Sequence, residues 1–456
     1  MKLLNILWGI DLELREAIDN LRERNLIEIV EDPVSVEYEA ASYLIKYDGK
    51  KALLFKKPVL TDGRESIFRI FGGFATSRDV LAASMGLKSV NELKKKIRES
   101  LRGLGKGLVE SPPEWRRAKL SLRDLPILKH YTGEPGPYMT ASIVIFRDEG
   151  KFSSSYHRML PISENKLVLR AVEGRKLSRT IEKFSKHGRD LEVAVSIGNP
   201  VEVLVASAVP AEDRDKLSLA SGISGKPLEI SKCEDLDAWA PSKAELVICG
   251  RIKPGELAPE GPFYEILGKD IVRMQPVLTV DSIYIREDPI YQALLPAGME
   301  HQLLMGLPVE PLIEERVSEV AEVVDVAMTP AGAGWVEAAI SIRKTHDDQP
   351  VLAGLMAISA HKSLKRVIIV DDDVDVTNYI ELMRAVVQRA HIPDDYKIIS
   401  GVRGSSLDHS NLREVYLDGE RRILRLPQGK MIIDATVKGP RELTEIPRNP
   451  LVGSNR

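Results

Sequence analysis

Cysteine is almost absent: Cys233 and Cys249 are the only two in 456 residues. Two thiols exclude a disulfide-scaffolded small fold and a four-thiolate zinc site, and they point to a reducing compartment. No run of about 18 apolar residues occurs, which excludes a bilayer-spanning helix. Neither sign of charge dominates, with 64 Lys and Arg against 67 Asp and Glu and a net charge of -3. A dedicated nucleic-acid binder would carry a basic excess or basic blocks, so no nucleic-acid partner is expected. The apolar stretch Met1 to Leu14, with Trp8, lacks the basic start and small-residue cleavage site of a secretory leader. Phosphate-loop patterns are missing too, and Gly72-Gly73 and Gly332 to Gly334 read as turn glycines. The eight histidines show no H-x-x-x-H zinc spacing. What is present is ample apolar material, 43% of the chain, over a length that calls for two or three domains. The sequence predicts a soluble, cytoplasmic, multidomain protein.

The first third alternates between helix and strand patterns. Leu12 to Arg24 has helical periodicity. Leu26 to Val30, Ala52 to Phe55 and Ile67 to Phe71 read as strands. Val90 to Leu101 reads as an amphipathic helix, with Ser89 and Glu92 spaced as a capping box and Gly103 beyond its end. After Pro112-Pro113 strand-type runs dominate: Ala141 to Phe146, Lys166 to Val172, Glu192 to Ile197, Ala244 to Arg251 and Met274 to Ile285. Helices are expected at Lys176 to His187 and Pro200 to Ala208. This pattern suggests a β-barrel or sandwich with helical insertions. From about Pro311 the alternation returns, and Val367 to Val370 reads as a strand buried on both faces, followed by a helix over Tyr379 to Ala390. The expected architecture is an N-terminal α/β domain over 1–112, a β-rich central domain over 113–310 and a C-terminal α/β domain over 311–456. The polar tail from Pro447 is expected to fray.

Three segments carry chemistry. The acidic run Asp371, Asp372, Asp373 and Asp375 offers oxygens to a hard cation, but it lacks the glycine and terminal Glu of a calcium loop. A strand-to-helix turn with solvated carboxylates is favoured there. The segment Ser153-Ser154-Ser155-Tyr156-His157-Arg158 gathers hydroxyls, an imidazole and a guanidinium suited to bidentate anion recognition. The loop Ala258 to Glu265 holds Glu260 and Glu265 around Gly261-Pro262, beside Phe263 and Tyr264. The Gly-Pro pair prevents a regular helix and can hold two acids rigidly around one reacting atom. Its alternative is an exposed turn.

In order along the chain, Phe71-Gly72-Gly73, Tyr156-His157-Arg158, Gly255 to Phe263, Asp288-Pro289-Ile290-Tyr291, Val370 to Asp373 and Lys430 to Thr436 resemble the UbiD family of decarboxylases. The match runs over nearly the whole chain. Ala293 to His301 and Gly404 to Asp408 look most like archaeal members. The resemblance implies a central split β-barrel related to flavin reductases and a C-terminal domain used in oligomerisation, giving a homodimer or larger homo-oligomer. It also implies prenylated FMN, supplied by a flavin prenyltransferase, with a divalent Mn or Mg and K⁺ at its phosphate. A cofactor is required because no side chain absorbs the carbanion left by loss of CO₂.

By the same resemblance Arg158 holds cofactor and substrate oxygens, Glu260 fixes its fork, and Glu265 donates the proton that replaces CO₂. Contacts to the cofactor are implied for Tyr156, His157, Arg158, Arg170, Ala171, Val172, Arg175, Lys176 and Lys430. The family's metal ligands are an Asn, a His and a Glu. Here those positions fall on Ser153, on Arg175 or Lys176, and near Lys216-Leu217. That set suits a divalent metal poorly, and Arg175 or Lys176 is the expected fixed cation in its place. The archaeal likeness implies a phosphorylated alkenoic acid, anhydromevalonate phosphate, as the small-molecule substrate. A hydroxybenzoate-type acid and a non-catalytic paralogue are the alternatives.

Overall fold

A computed structural model describes residues 13–417, 420–439, 443–444 and 446. Most of the apolar stretch from Met1, and the tail from Pro447, lie outside the described residues. Among those described, no helix is long and apolar enough to cross a membrane. The chain forms two compact units, residues 1–304 and 305–456.

The first unit opens with the helix Leu14–Glu23, whose inward stripe Leu14, Ala17, Ile18 and Leu21 is the period-3.6 pattern read from the sequence. A four-stranded sheet follows in the order Ile27–Ser35, Ala52–Val59, Arg69–Gly72, Ile290–Ala293. Its last strand arrives from more than two hundred residues downstream and pairs in parallel with Arg69–Gly72. Val90–Leu101 is a helix as expected, burying Leu93 and Ile97. Ser89 takes the N-cap backbone geometry, but its side chain makes no capping hydrogen bond, so the expected capping box does not form.

The large sheet of this unit runs Lys151–Tyr156, Ile143–Asp148, Leu191–Ile197, Leu246–Glu260, Arg273–Ile285, Lys166–Leu169, Met159–Pro161. Its ladders are antiparallel. Among the described residues no ladder joins its two end strands. The helices Lys176–Ser185 and Val201–Ala208 match the expected insertions. A third helix, Lys216–Ser224, is capped by Asp215, which accepts from the Ser218 amide. One core includes Val144, Phe146, Val193, Val195, Ile248 and Leu278 of this sheet together with Leu53, Phe55 and Ile70 of the smaller one. Cys233 and Cys249, too few for a disulfide scaffold and read as pointing to a reducing compartment, are joined as a single disulfide. The segment after Leu228–Lys232 meets the strand Leu246–Glu260 there, with the Cα atoms 6.4 Å apart.

The second unit is a five-stranded sheet in the order Glu322–Met328, Glu337–Arg343, Arg366–Asp371, Gln428–Asp434, Tyr396–Val402. Along Arg366–Asp371 the residues alternate between two cores. Val367 and Ile369 pack with Ala353 and Ala357 of the helix Gln349–Ala360, while Ile368 and Val370 pack with Leu382 and Ala385 of Tyr379–Arg389. A strand covered on both faces must be apolar at every position, which is how this one reads.

The long pairing of Leu246–Glu260 with Arg273–Ile285 positions the functional loop, and it is irregular between Cys249 and Gly250. A Cβ on Gly250 would lie 2.2 Å from the Thr279 carbonyl oxygen, a backbone atom that cannot step aside. Gly250→Ala should therefore cost about 1–3 kcal/mol of stability, measured by chemical denaturation. An unchanged midpoint would show that the strands re-space freely.

Candidate active site

The strand Leu246–Glu260 ends at Glu260, where Gly261-Pro262 breaks the ladder. Gly261 has φ of 97°, and a Cβ there would sit 2.9 Å from the Ile271 carbonyl oxygen, so the position requires glycine. The chain then forms a tight hairpin, Phe263–Glu265 against Gly268–Asp270, with Phe263 opposite Asp270. Alternation along the strand puts Phe263, Glu265 and Asp270 on one face. Phe263 is buried against Tyr138, Leu160 and Val168, with an edge-on contact to Tyr138 at 4.8 Å between ring centroids.

Arg158 lies between the strands Lys151–Tyr156 and Met159–Pro161, and its carbonyl accepts from the Arg170 amide at 3.1 Å. Its guanidinium sits over the Phe263 ring, 4.5 Å from the centroid. Nε donates to Glu260 Oε1 at 2.8 Å and Nη2 to Glu260 Oε2 at 3.0 Å, a bidentate fork. Nη2 also donates to Asp270 Oδ2 at 2.8 Å, and Nη1 donates to Glu265 Oε1. Four of the five N–H groups are engaged, and one on Nη1 remains. Glu260 is fully buried, and its Oε1 also accepts from the Tyr138 hydroxyl at 3.2 Å.

Asp270 escaped the sequence reading. It binds Arg158 and also Arg273 Nη1 at 2.5 Å, and Arg170 Nε approaches it at 3.9 Å. Three carboxylates thus face three guanidinium groups, Arg158, Arg170 and Arg273. Burial works to raise the Asp270 pKa, but hydrogen bonds and charge from Arg158 and Arg273 outweigh it and hold it at about 2. Asp270 returns beside the first strand across the turn Ile266-Leu267, and an acid five residues past Glu265 does not by itself announce that hairpin.

His157 Nδ1 lies 2.8 Å from the Arg170 carbonyl oxygen, which only accepts, so Nδ1 carries the proton and Nε2 accepts from the Ser155 hydroxyl at 2.8 Å. Burial pushes its pKa down to about 4. The Ala171 amide donates to Gln275 Oε1, and the Val172 carbonyl accepts from the Arg175 amide. Arg175 pairs with Glu212 at 3.4 Å, and Lys176 binds Asp148 at 2.5 Å. Lys430 lies in the second unit, where its ammonium donates to the Lys362 and Leu364 carbonyls at 2.7 and 2.5 Å. The acidic run after Asp371 is used internally. Asp373 takes a bidentate bond from Arg389 at 2.9 and 2.7 Å, and Asp371 accepts from the Val437 amide.

The donors fit a flavin better than a metal. Several buried side-chain atoms have no partner among the described residues: the Tyr156 hydroxyl, Ser142 Oγ, Ser196 Oγ, and both polar atoms of Asn199 and Gln292. Tyr156 and Ser196 both pair with Ile143, Ser142 precedes that strand, Asn199 follows Leu191–Ile197, and Gln292 lies on Ile290–Ala293, whose Ile290 carbonyl is close to Gly198. Buried polar groups of this kind require a partner, and a ring bearing carbonyl and N–H groups offers both senses. The metal positions fall on Ser153, on Arg175 or Lys176, and near Lys216-Leu217. The Lys216 ammonium is buried on the Ala206 and Val209 carbonyls, and burial lowers its pKa to about 7. A hydroxyl and two cations do not coordinate Mg or Mn. Among the described residues no cluster of three or more His, Cys, Asp or Glu forms a metal site.

Comparison with known proteins gives the class and then the family. Residues 108–299, 302–435 and 18–99 match the Rift-related, C-terminal and N-terminal domains of 3-octaprenyl-4-hydroxybenzoate carboxy-lyase. Two relatives named Anhydromevalonate phosphate decarboxylase are 35% and 32% identical. The first, from Methanothermobacter thermautotrophicus, aligns with 88% of this chain and 93% of its own. The second, from Methanosarcina mazei, aligns with 86% of this chain and 91% of its own. The UbiD-class enzyme HmfF from Pelotomaculum thermopropionicum, solved in complex with FMN, has a TM-score of 0.87 at 30% identity. The match covers 96% of this chain and 98% of that one. These findings define a decarboxylase built from N-terminal, middle and C-terminal domains. The chain belongs to the UbiD family.

The buried imidazole of His157 gives a pH prediction. A folded pKa near 4 against 6.5 in water means the unfolded chain takes up a proton that the folded chain refuses. The stability from this site is present above pH 6.5 and is lost as pH falls toward 4, by roughly 3 kcal/mol. Denaturation midpoints across that window should fall for the native protein and fall less for His157→Gln. Parallel slopes for the two proteins would contradict the assignment.

Proposed function

We propose that this chain removes CO₂ from an α,β-unsaturated acid, with trans-anhydromevalonate phosphate as substrate and isopentenyl phosphate as product. The observation that carries the reading is the convergence of Glu260, Glu265 and Asp270 on the half-sandwiched guanidinium of Arg158. Relatives bearing that substrate in their names align with nearly the whole chain, and a solved neighbour at 28% identity is described with prFMN bound.

Prenylated FMN supplies the electron sink that protein side chains lack. Tyr156, Ser142, Asn199 and Gln292 are the groups suited to hold its ring. Arg158 is locked on three sides by carboxylates, which leaves one Nη1–H for a substrate or cofactor oxygen. The C–C bond to the carboxylate breaks, CO₂ leaves, and the electron pair stays on carbon. Glu265 gives that carbon a proton and regains one from solvent, so that R–CO₂⁻ and H⁺ become R–H and CO₂. Glu260 keeps the guanidinium plane fixed. No step passes through a divalent metal or K⁺. We further take the central sheet to be a split barrel of the flavin-reductase kind, the domains to divide at 112 and 310, and the enzyme to work in the cytoplasm as a homo-oligomer. Its cofactor comes from a flavin prenyltransferase.

Glu265→Gln keeps size and hydrogen bonding and removes the transferable proton. In protein co-produced with a flavin prenyltransferase, turnover of anhydromevalonate phosphate should fall by at least about 10²-fold with the flavin absorbance retained. Turnover near the native level would remove Glu265 from the acid role. A colourless protein without flavin would favour a non-catalytic paralogue, and turnover of hydroxybenzoates alone would move the substrate to the aromatic class.

A further inference from the structure

Arg158 holds only one oxygen of Glu265. The other, Oε2, faces His301 Nε2 at 3.8 Å. His301 lies in the first turn of the helix Met299–Gly306, far from the hairpin in sequence. Its ring is oriented by the backbone, because the Ala297 amide donates to Nδ1 at 3.2 Å. A ring nitrogen that accepts an N–H carries no proton, so in the neutral ring the proton is on Nε2, directed at Glu265. The neutral form is favoured, since burial lowers the pKa and Arg158 adds to that, while Glu265 opposes it.

The loop that carries this imidazole is pinned from several sides. Asp48 accepts the Met299 amide with both oxygens at 3.0 Å. The Tyr131 hydroxyl donates to the Pro296 carbonyl at 2.9 Å, and the Tyr131 ring packs on Tyr264, next to Glu265, at 4.7 Å. The Leu294 amide donates to Thr140 Oγ1 at 3.1 Å. Ala297 holds a left-handed φ of 61°, which aims its amide into the ring. The proton donor and the imidazole are thus fastened to one framework through Tyr264, Tyr131 and Pro296.

We infer that His301 is a positioning residue for Glu265: it faces the oxygen that Arg158 leaves free and fixes the direction in which the acid presents its proton. The inference rests on the proposed role of Glu265. Its removal should lower kcat while leaving KM and flavin binding nearly unchanged, since the imidazole acts on the acid.

Four holoenzymes discriminate: native, His301→Leu, His301→Gln and Glu265→Gln, each checked for bound flavin and native thermal stability. His301→Leu should reduce kcat about tenfold to a hundredfold. It should also alter the pH profile of kcat, because a titratable imidazole leaves the acid's surroundings. His301→Gln, whose amide reaches the Nε2 position, should recover most of the rate. Native kcat and pH profile in His301→Leu, beside an inactive Glu265→Gln, would overturn this inference and leave the decarboxylase reading intact. Equal losses in His301→Leu and His301→Gln, with flavin lost from both, would also overturn it, since the role would then be structural. An active Glu265→Gln would overturn the reading and the inference together.

Discussion

The site depends on one buried guanidinium that cannot be left alone. Arg158 carries a permanent charge in a place with little water, and three carboxylates answer it. Such a cluster is costly to assemble and costlier to break, because each removed partner leaves a buried charge unpaired. Its value lies in direction. A planar fork held by Glu260, Asp270 and the Phe263 face has no rotational freedom, so Glu265 and the spare N–H are aimed. Arginine suits this role where lysine does not, because only a fork fixes a plane.

The rest of the first unit can be understood as support for that direction. The strand Leu246–Glu260 carries Glu260 to its position, and Gly261 turns the chain where a side chain would collide. The hairpin beyond it returns Asp270 to the guanidinium. Arg158 itself is held by the Arg170 amide, and Arg170 and Arg273 balance the excess negative charge. The first unit also holds buried hydroxyl and amide groups with no partner among the described residues, which suit a ring bearing carbonyl and N–H groups better than a cation. Arg175 and Lys176, the cations expected in place of a metal, are engaged with Glu212 and Asp148.

Local patterns made much of the fold legible. Val90–Leu101 and Arg366–Asp371 follow from periodicity, since each is an element whose burial is set within its own few residues. The strand Leu246–Glu260 was readable only to Arg251. Lys253, Pro254 and Gly255 then hide it, and the register slips between Ile252 and Leu257. Ile290–Ala293 was invisible as part of the first sheet because its parallel partner lies more than two hundred residues away. At the site, Arg158, Glu260 and Glu265 were found through the order of motifs. Asp270 and His301 were missed because they arrive through a hairpin return and a pinned loop, which no local pattern encodes. The Ser89 capping box was a reasonable local reading that tertiary geometry replaced.

The central claim is that CO₂ is exchanged for a proton at a carbon facing Glu265. The direct measurement is turnover of anhydromevalonate phosphate in D₂O, followed by NMR of the product. The account predicts isopentenyl phosphate carrying one deuteron on the carbon that bore the carboxylate, formed with an equal amount of CO₂. Product with only protium at that carbon, or unaltered substrate after incubation with flavin-loaded protein, would contradict it.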